Sequence, residues 1–199
     1  LGIWDDPKSA TVVDLDQWAE LVDKVSEIDG RPAFAIDVPP DRSAASIAAS
    51  GRRFDGLEHI ELVEQRRGTG WVVDRMRDLV KRWRPVCPVA IDATGPAGSL
   101  IAPLNEAGIE TLSISTREMA QACGGFVDAV AEGRLRHLGQ AKLTAALAAA
   151  RKRPLGDAFG WRRFDNTDIS PLVAVTLARF AYAAHGGDTR KRQRTGKVW

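Results

Sequence analysis

Two short apolar runs in this chain each close on an aspartate: Ala33-Phe-Ala-Ile-Asp37 and Val86-Cys-Pro-Val-Ala-Ile-Asp92. Neither alternates apolar with polar residues, the pattern of strands covered on both faces and therefore central in a sheet. The first is cut off by Pro39-Pro40, and Ser43–Ser50 and Leu57–Gln65 follow as strand candidates around the turn-rich Gly51–Gly56, which predicts successive antiparallel strands. Val72, Val73, Met76, Leu79, Val80 and Trp83 share one helical face, and Pro85 ends that helix before the second run. A turn over Ala93–Gly98, a helix stopped by Gly108 and a strand over Ile109–Ile114 complete a βαβ crossover. The expected class is α/β, a mixed central sheet flanked by helices.

Elsewhere the pattern is looser. Asp14-Leu-Asp-Gln17 has the form of an N-cap with its partner, and Trp18, Leu21, Val22 and Val25 extend a first helix toward Gly30. Ser115-Thr-Arg-Glu118 is a capping box opening a helix toward Gly133, with Gly124-Gly125 as a kink or a close packing contact. Leu135–Leu138 reads as an edge strand, Lys142–Arg153 as an Ala-rich helix, and Phe159–Phe164 as a segment that pairs with that edge. Asp168, placed as an N-cap, precedes a largely apolar helix from Ile169 to Tyr182 with Pro171 in its first turn.

At 199 residues and 44% hydrophobic content the chain supports one substantial core. It opens on Leu1 without a charged segment before an apolar stretch, so no secretory signal is read and a fragment of a longer protein is expected. No apolar run approaches the roughly 20 residues of a membrane span. Cys87 and Cys123 stand far apart without a CxxC partner, so neither a disulfide framework nor a zinc ribbon is suggested. The formal charge is +2, but the tail from Gly186 carries +4, which leaves −2 on residues 1–185. Nucleic-acid contact would therefore use local Arg patches rather than a global field. Phosphate loops, dinucleotide fingerprints and zinc-protease motifs are absent, and His59, His137 and His185 read as isolated surface or core-edge residues.

Asp37, Asp92 and Asp168 remain. Carboxylates at the ends of central strands converge where open α/β sheets hold ligands, and their mutual repulsion calls for a cation. Oxygen donors select Mg²⁺ or Mn²⁺, and two such ions support phosphodiester hydrolysis. The alternative stays open from spacing alone: strand-end aspartates bond loop amides, and Asp168 suits a plain helix cap.

The ordered strings Ala35-Ile-Asp37-Val-Pro-Pro-Asp-Arg-Ser, Ala90-Ile-Asp92-Ala-Thr-Gly-Pro-Ala-Gly-Ser and Asp168-Ile-Ser-Pro-Leu-Val-Ala, with Gly68-Thr-Gly-Trp71 and Arg136-His-Leu138, resemble the nuclease half of tailed-phage large terminases. The resemblance runs from about Trp18 to Tyr182. It implies an RNase H-like fold of the RuvC/integrase type, with Asp37 on the first strand, Asp92 on the fourth and Asp168 at the final helix as catalytic metal ligands; Asp165, three residues before Asp168, is the other C-terminal acid within reach by spacing, and the family's final acidic motif favours Asp168. It implies Mg²⁺ or Mn²⁺, two ions with DNA bound, and endonuclease action on double-stranded DNA in viral genome packaging. Implied partners are an N-terminal ATPase domain, the portal or procapsid and the small terminase subunit, at the procapsid portal in the host cytoplasm and not in a membrane. Arg42, Arg52 and Arg53, taken as neighbours of the first-strand aspartate, and Arg190, Lys191 and Arg192 of the tail are the DNA-contact candidates. The expected division is a linker and short helix over 1–30, the nuclease domain over 31–185 and a basic tail over 186–199. Competing readings are a Holliday-junction resolvase or transposase core with the same acid cluster, and a non-catalytic docking module for the portal or procapsid.

Overall fold

The structure is a computed structural model describing residues 11–162 and 167–187. Asp165, Arg190, Lys191 and Arg192 lie outside the described residues. The chain runs α1 (Leu15–Glu20), β1 (Ala33–Asp37), β2 (Ala44–Arg52), β3 (Glu58–Arg67), α2 (Val72–Trp83) and β4 (Val89–Asp92). A 3-10 turn (Pro96–Leu100) leads into α3 (Ile101–Glu106), β5 (Thr111–Ile114), α4 (Thr116–Ala131), β6 (Leu135–His137) and α5 (Ala141–Ala149). The hairpin β7 (Arg151–Leu155) and β8 (Ala158–Arg162) and then α6 (Ser170–His185) complete the order.

The main sheet has six strands in the order β5-β4-β1-β2-β3-β6. β1, β2 and β3 form an antiparallel meander, β4 and β5 run parallel to β1, and β6 runs parallel to β3. The two apolar runs are thus the adjacent central strands β1 and β4, as their lack of alternation predicts. What alternates along them is size. Phe34, Ile36, Ile47, Val89 and Ile91 belong to the core beneath α2 and α3, whereas Ala33, Ala35, Ala48 and Ala90 belong to the core against α6. Small residues let α6 approach the sheet closely, and α6 is apolar nearly all round because it is buried nearly all round.

The other pattern-based elements shift in instructive ways. α1 ends at Glu20 rather than near Gly30, and Trp18 is buried in the core. The helix over Lys142–Arg153 stops at Ala149 because the residues around Pro154 take extended backbone. Arg151–Leu155 then pairs with β8 in a separate two-stranded sheet, which removes the expected pairing of Phe159–Phe164 with the edge strand. The edge strand β6 pairs with β3 instead. α4 is continuous through Gly124-Gly125; a Cβ on Gly125 would stand 3.1 Å from Arg179 Nη1, and one on Gly124 would meet nothing within 4 Å.

His137 is fully buried, not at the core edge. Its ring stacks on Trp18 with centroids 3.7 Å apart. Nε2 donates to the Trp18 carbonyl (2.9 Å), and Nδ1 accepts from the Gly139 N–H (3.2 Å), so both neighbours select the neutral Nε2–H tautomer. Burial, the larger effect, and the nearby His59 push the His137 pKa down, against the Trp18 hydrogen bond.

Two predictions follow from this packing. An unfolded imidazole takes a proton near pH 6.5 while folded His137 resists it, so stability is full above that pH and falls as pH drops below it until the lowered folded pKa is reached. Denaturation between pH 7.5 and 5 will show this slope, and His137→Gln will remove it. A Cβ on Gly98 would lie 2.5 Å from the Ala93 carbonyl oxygen. Gly98→Ala will therefore cost about 1–3 kcal/mol and lower Tm by about 2–4 °C per kcal/mol, whereas Gly124→Ala will gain about 0.4–1 kcal/mol in the same thermal melts.

Candidate functional site

β1 and β4 run parallel with Ile36 opposite Ile91, and each strand ends one residue later. Asp37 and Asp92 therefore close two neighbouring central strands side by side. Asp37 pairs in register with Ser46 on β2, and Ser46 pairs in turn with Gln65 on β3. Directly opposed residues of antiparallel strands share a face, so one row of side chains crosses four strands: Asp92, Asp37, Ser46, Gln65.

That row depends on a β-bulge. Ile47 pairs with Glu64 but Ala48 pairs with Leu62, so Val63 is an extra residue on β3. Before it the even positions Ile60 and Leu62 share the face of Ser50 and Ala48; after it the odd position Gln65 does. The bulge turns Gln65 toward α6, a recurrent use of bulges next to functional sites.

α6 brings the third acid. Ser46 Oγ and Ser170 Oγ share a buried hydrogen bond of 2.7 Å, which ties the start of α6 to the middle of the row. Two residues earlier, Asp168 accepts from Gln65 Nε2 through Oδ2 (2.9 Å) and from the Ser170 N–H through Oδ1 (2.8 Å). The N-cap position itself is Ile169, so Asp168 is not the N-cap that the sequence placed there, although its carboxylate satisfies the first helical N–H. Asp92 is oriented by its own turn: Oδ1 accepts from the Thr94 N–H (2.9 Å) and hydroxyl (2.8 Å). A Cβ on Gly95 would stand 3.1 Å from Asp92 Oδ2, so glycine there keeps the second oxygen uncrowded. Asp37 is 3% exposed, Asp92 and Asp168 partly so.

The donor set is all oxygen, and two of its carboxylates lie side by side, which fits a hard divalent cation rather than zinc. Among the described residues no three His, Cys, Asp or Glu side chains gather as a complete metal-binding group, and Asp168 accepts from Gln65 across the row. Ser46, Gln65 and Ser170 were missed by the sequence reading: their partnership is made by register, by the bulge and by helix docking.

The arginine candidates separate. Arg42, with φ 56°, donates from Nη1 to the Pro96 carbonyl (2.7 Å) and Ser99 Oγ (3.1 Å) and from Nη2 to Thr69 Oγ1 (3.3 Å), stapling the loop after β1 to the turn after β4. Arg52 and Arg53 do not neighbour Asp37. They follow Ser46 by six and seven residues, about 20 Å along β2 at the other end of the sheet. Arg53 is buried and bonds Asp23 (2.7 Å), Asp55 (2.9 Å) and Ser26 Oγ (2.7 Å), so it serves an internal ion cluster rather than a phosphate-contact surface. The Arg53 guanidinium in turn holds the Asp23 and Asp55 carboxyls below their usual range.

No protein-family model matches the chain, and no curated protein does. Solved structures do. The HK97 bacteriophage large terminase superposes with a TM-score of 0.72 at 11% identity over 86% of this chain and 43% of that one, so this chain spans less than half of its length. The large terminase nuclease of thermophilic phage G20c gives 0.60 at 15% identity, over 86% of this chain and 96% of that one. The Thermus phage P74-26 large terminase nuclease domain gives 0.58 at 13% identity, over 87% and 96%. This chain has the RNase H-like fold of phage large terminase nuclease domains.

Proposed function

We propose that the chain is a divalent-metal-dependent endonuclease domain that cuts double-stranded DNA during viral genome packaging, the nuclease part of a large terminase. The observation that carries this reading is the row Asp92, Asp37, Ser46, Gln65, closed by Asp168 at the mouth of α6. Isolated structural aspartates need no such alignment across four strands. The reading is supported by the G20c nuclease, solved with cobalt bound and with magnesium bound, at 14% and 15% identity to this chain. The D6E large terminase, 44% of which this chain spans, was solved with ATP-γ-S. This chain carries no phosphate loop, so in the proposed protein ATP use belongs to a separate ATPase domain, beside the portal or procapsid and the small subunit. No helix of the described residues is long and apolar enough to cross a membrane.

Asp37, Asp92 and Asp168 would hold Mg²⁺ or Mn²⁺, which supply charge neutralisation and water activation at a phosphodiester. The residues themselves do the positioning. Asp37 is fixed by the backbone of a strand paired on both sides, Asp92 by Thr94, and Asp168 by Gln65 and the Ser170 N–H. Ligands held before the substrate arrives cost no reorganisation in the reaction. Asp165 remains the other proposed acid, and the basic tail a further DNA contact.

Supercoiled plasmid will be nicked and linearised with Mn²⁺ at least as well as with Mg²⁺, and excess EDTA will stop it; full activity in EDTA would overturn the metal assignment. Preference for four-way junctions over plain duplex would favour a resolvase, and a folded protein inert with both ions a docking module. Asp37→Asn, Asp92→Asn and Asp168→Asn will each lower cleavage by orders of magnitude while Tm holds or rises, because each removes charge from a self-repelling group and keeps its shape. Gln65→Ala will lower cleavage by about 10–100-fold, the usual effect of losing a residue that orients a ligand. If Asp168→Asn lost about 1 kcal/mol of stability and still cut DNA, Asp168 would be a helix cap alone.

A further inference from the structure

An anionic strand does not settle against three carboxylates unless cations stand next to them. An open groove of about 520 Å³ begins at Asp168 and is bordered by Ser43, Arg66, Arg67, Lys142 and Pro171. Arg66 is committed to Glu64 and lies over the Trp71 ring, 5.1 Å from its centroid. Arg67 and Lys142 are exposed, and no carboxylate among the described residues pairs with either.

Their placement is built rather than incidental. Arg67 follows Gln65 by two residues on β3, so the Val63 bulge that turns Gln65 toward Asp168 also puts Arg67 on that face, about 7 Å further along the strand. Lys142 lies in the first turn of α5, where the helix dipole disfavours a cation, a local conflict of the kind that marks functional positions. The start of α5 is pinned to the same strand, because the Gln140 side chain donates to the Leu62 carbonyl and accepts from the Leu62 N–H, both at 2.8 Å. Two unpaired cations thus flank the groove that leads away from Asp168, one on the sheet and one on a helix anchored to it.

We infer that Arg67 and Lys142 form a phosphate-binding subsite for the backbone of duplex DNA, holding phosphates beside the one presented to Asp37, Asp92 and Asp168. The ligand class is the phosphodiester backbone, so the contact carries no base information. This inference rests on the reading of the aspartate row as a phosphodiester-cleaving site. It also resolves how a domain body with a formal charge of −2 takes up DNA: two placed cations replace a global positive field.

The test is anisotropy of a fluorescein-labelled 24-base-pair duplex titrated with the full chain between 50 and 200 mM KCl, alongside plasmid cleavage with Mn²⁺. Arg67→Ala together with Lys142→Ala will weaken binding equally for duplexes of unrelated sequence and make the plot of log Kd against log salt shallower by about two units. In cleavage the pair will raise KM and leave kcat close to that of the parent. Lys81→Ala together with Arg82→Ala, an equal loss of two charges on α2, will alter neither the slope nor KM. Circular dichroism melts will show the double variant folded. If the parent binds and cuts but the double variant keeps its affinity, slope and KM, the subsite is overturned and the nuclease reading stands. If the parent binds with a slope that the double variant flattens, yet cuts nothing with either ion, the subsite stands and the nuclease reading fails. Parent protein without measurable affinity overturns both.

Discussion

The close seating of α6 on the small-residue face of β1 and β2 is the contact on which the rest of the structure depends. Ala33, Ala35 and Ala48 clear the space, and the buried Ser46–Ser170 hydrogen bond sets where along the sheet the helix begins. Buried hydroxyls left without partners are costly, so this bond fixes the helix's position as well as stabilising it. A helix that began one turn away would carry Asp168 about 5.4 Å from the row. Larger residues at the alanine positions would lift α6 and separate the third acid from the other two.

Charge is distributed unevenly over the two ends of the sheet. At the end near the β2–β3 turn, Arg53 lies buried between Asp23 and Asp55, and Ser26 and His59 extend its network. Deeper in, Arg179 of α6 donates to Glu58 (3.0 Å), which also meets Arg134 (3.5 Å). The buried Arg53 and Arg179 are each matched by carboxylates, as buried charges must be. At the opposite end Asp37 and Asp92 close neighbouring strands, Asp92 accepts from Thr94, and Asp168 accepts from Gln65 and the Ser170 N–H. Neutral donors of this kind orient a carboxylate without cancelling its charge.

Much of this was legible in the sequence, and the reasons are local. Continuous apolar runs named β1 and β4, the 3.6-residue stripe from Val72 to Trp83 named α2, and the Ser115–Glu118 capping box opens α4 as read, with both of its hydrogen bonds present. Asp37 and Asp92 could be singled out because each ends a buried strand. The hairpin β7–β8 was not legible, since Ala-rich sequence continues smoothly toward Arg153 and only the extended backbone around Pro154 breaks it. Arg52 and Arg53 were misplaced because nearness along the chain was taken for nearness in space, whereas β2 carries them the length of the sheet from Asp37.

By itself the sequence determined the central strands β1 and β4, the helix α2, the start of α4, and that two acids end central strands, because these follow from periodicity and termination signals carried by neighbouring residues. Only the tertiary structure decided which side chains meet. Register aligned Asp92, Asp37, Ser46 and Gln65, one extra residue at Val63 reversed the facing of Gln65 and Arg67, and helix docking delivered Asp168. The physical reason is that side chains alternate with a period of two along a strand, so one inserted residue exchanges the faces of all that follow, and no local pattern announces where that insertion is absorbed.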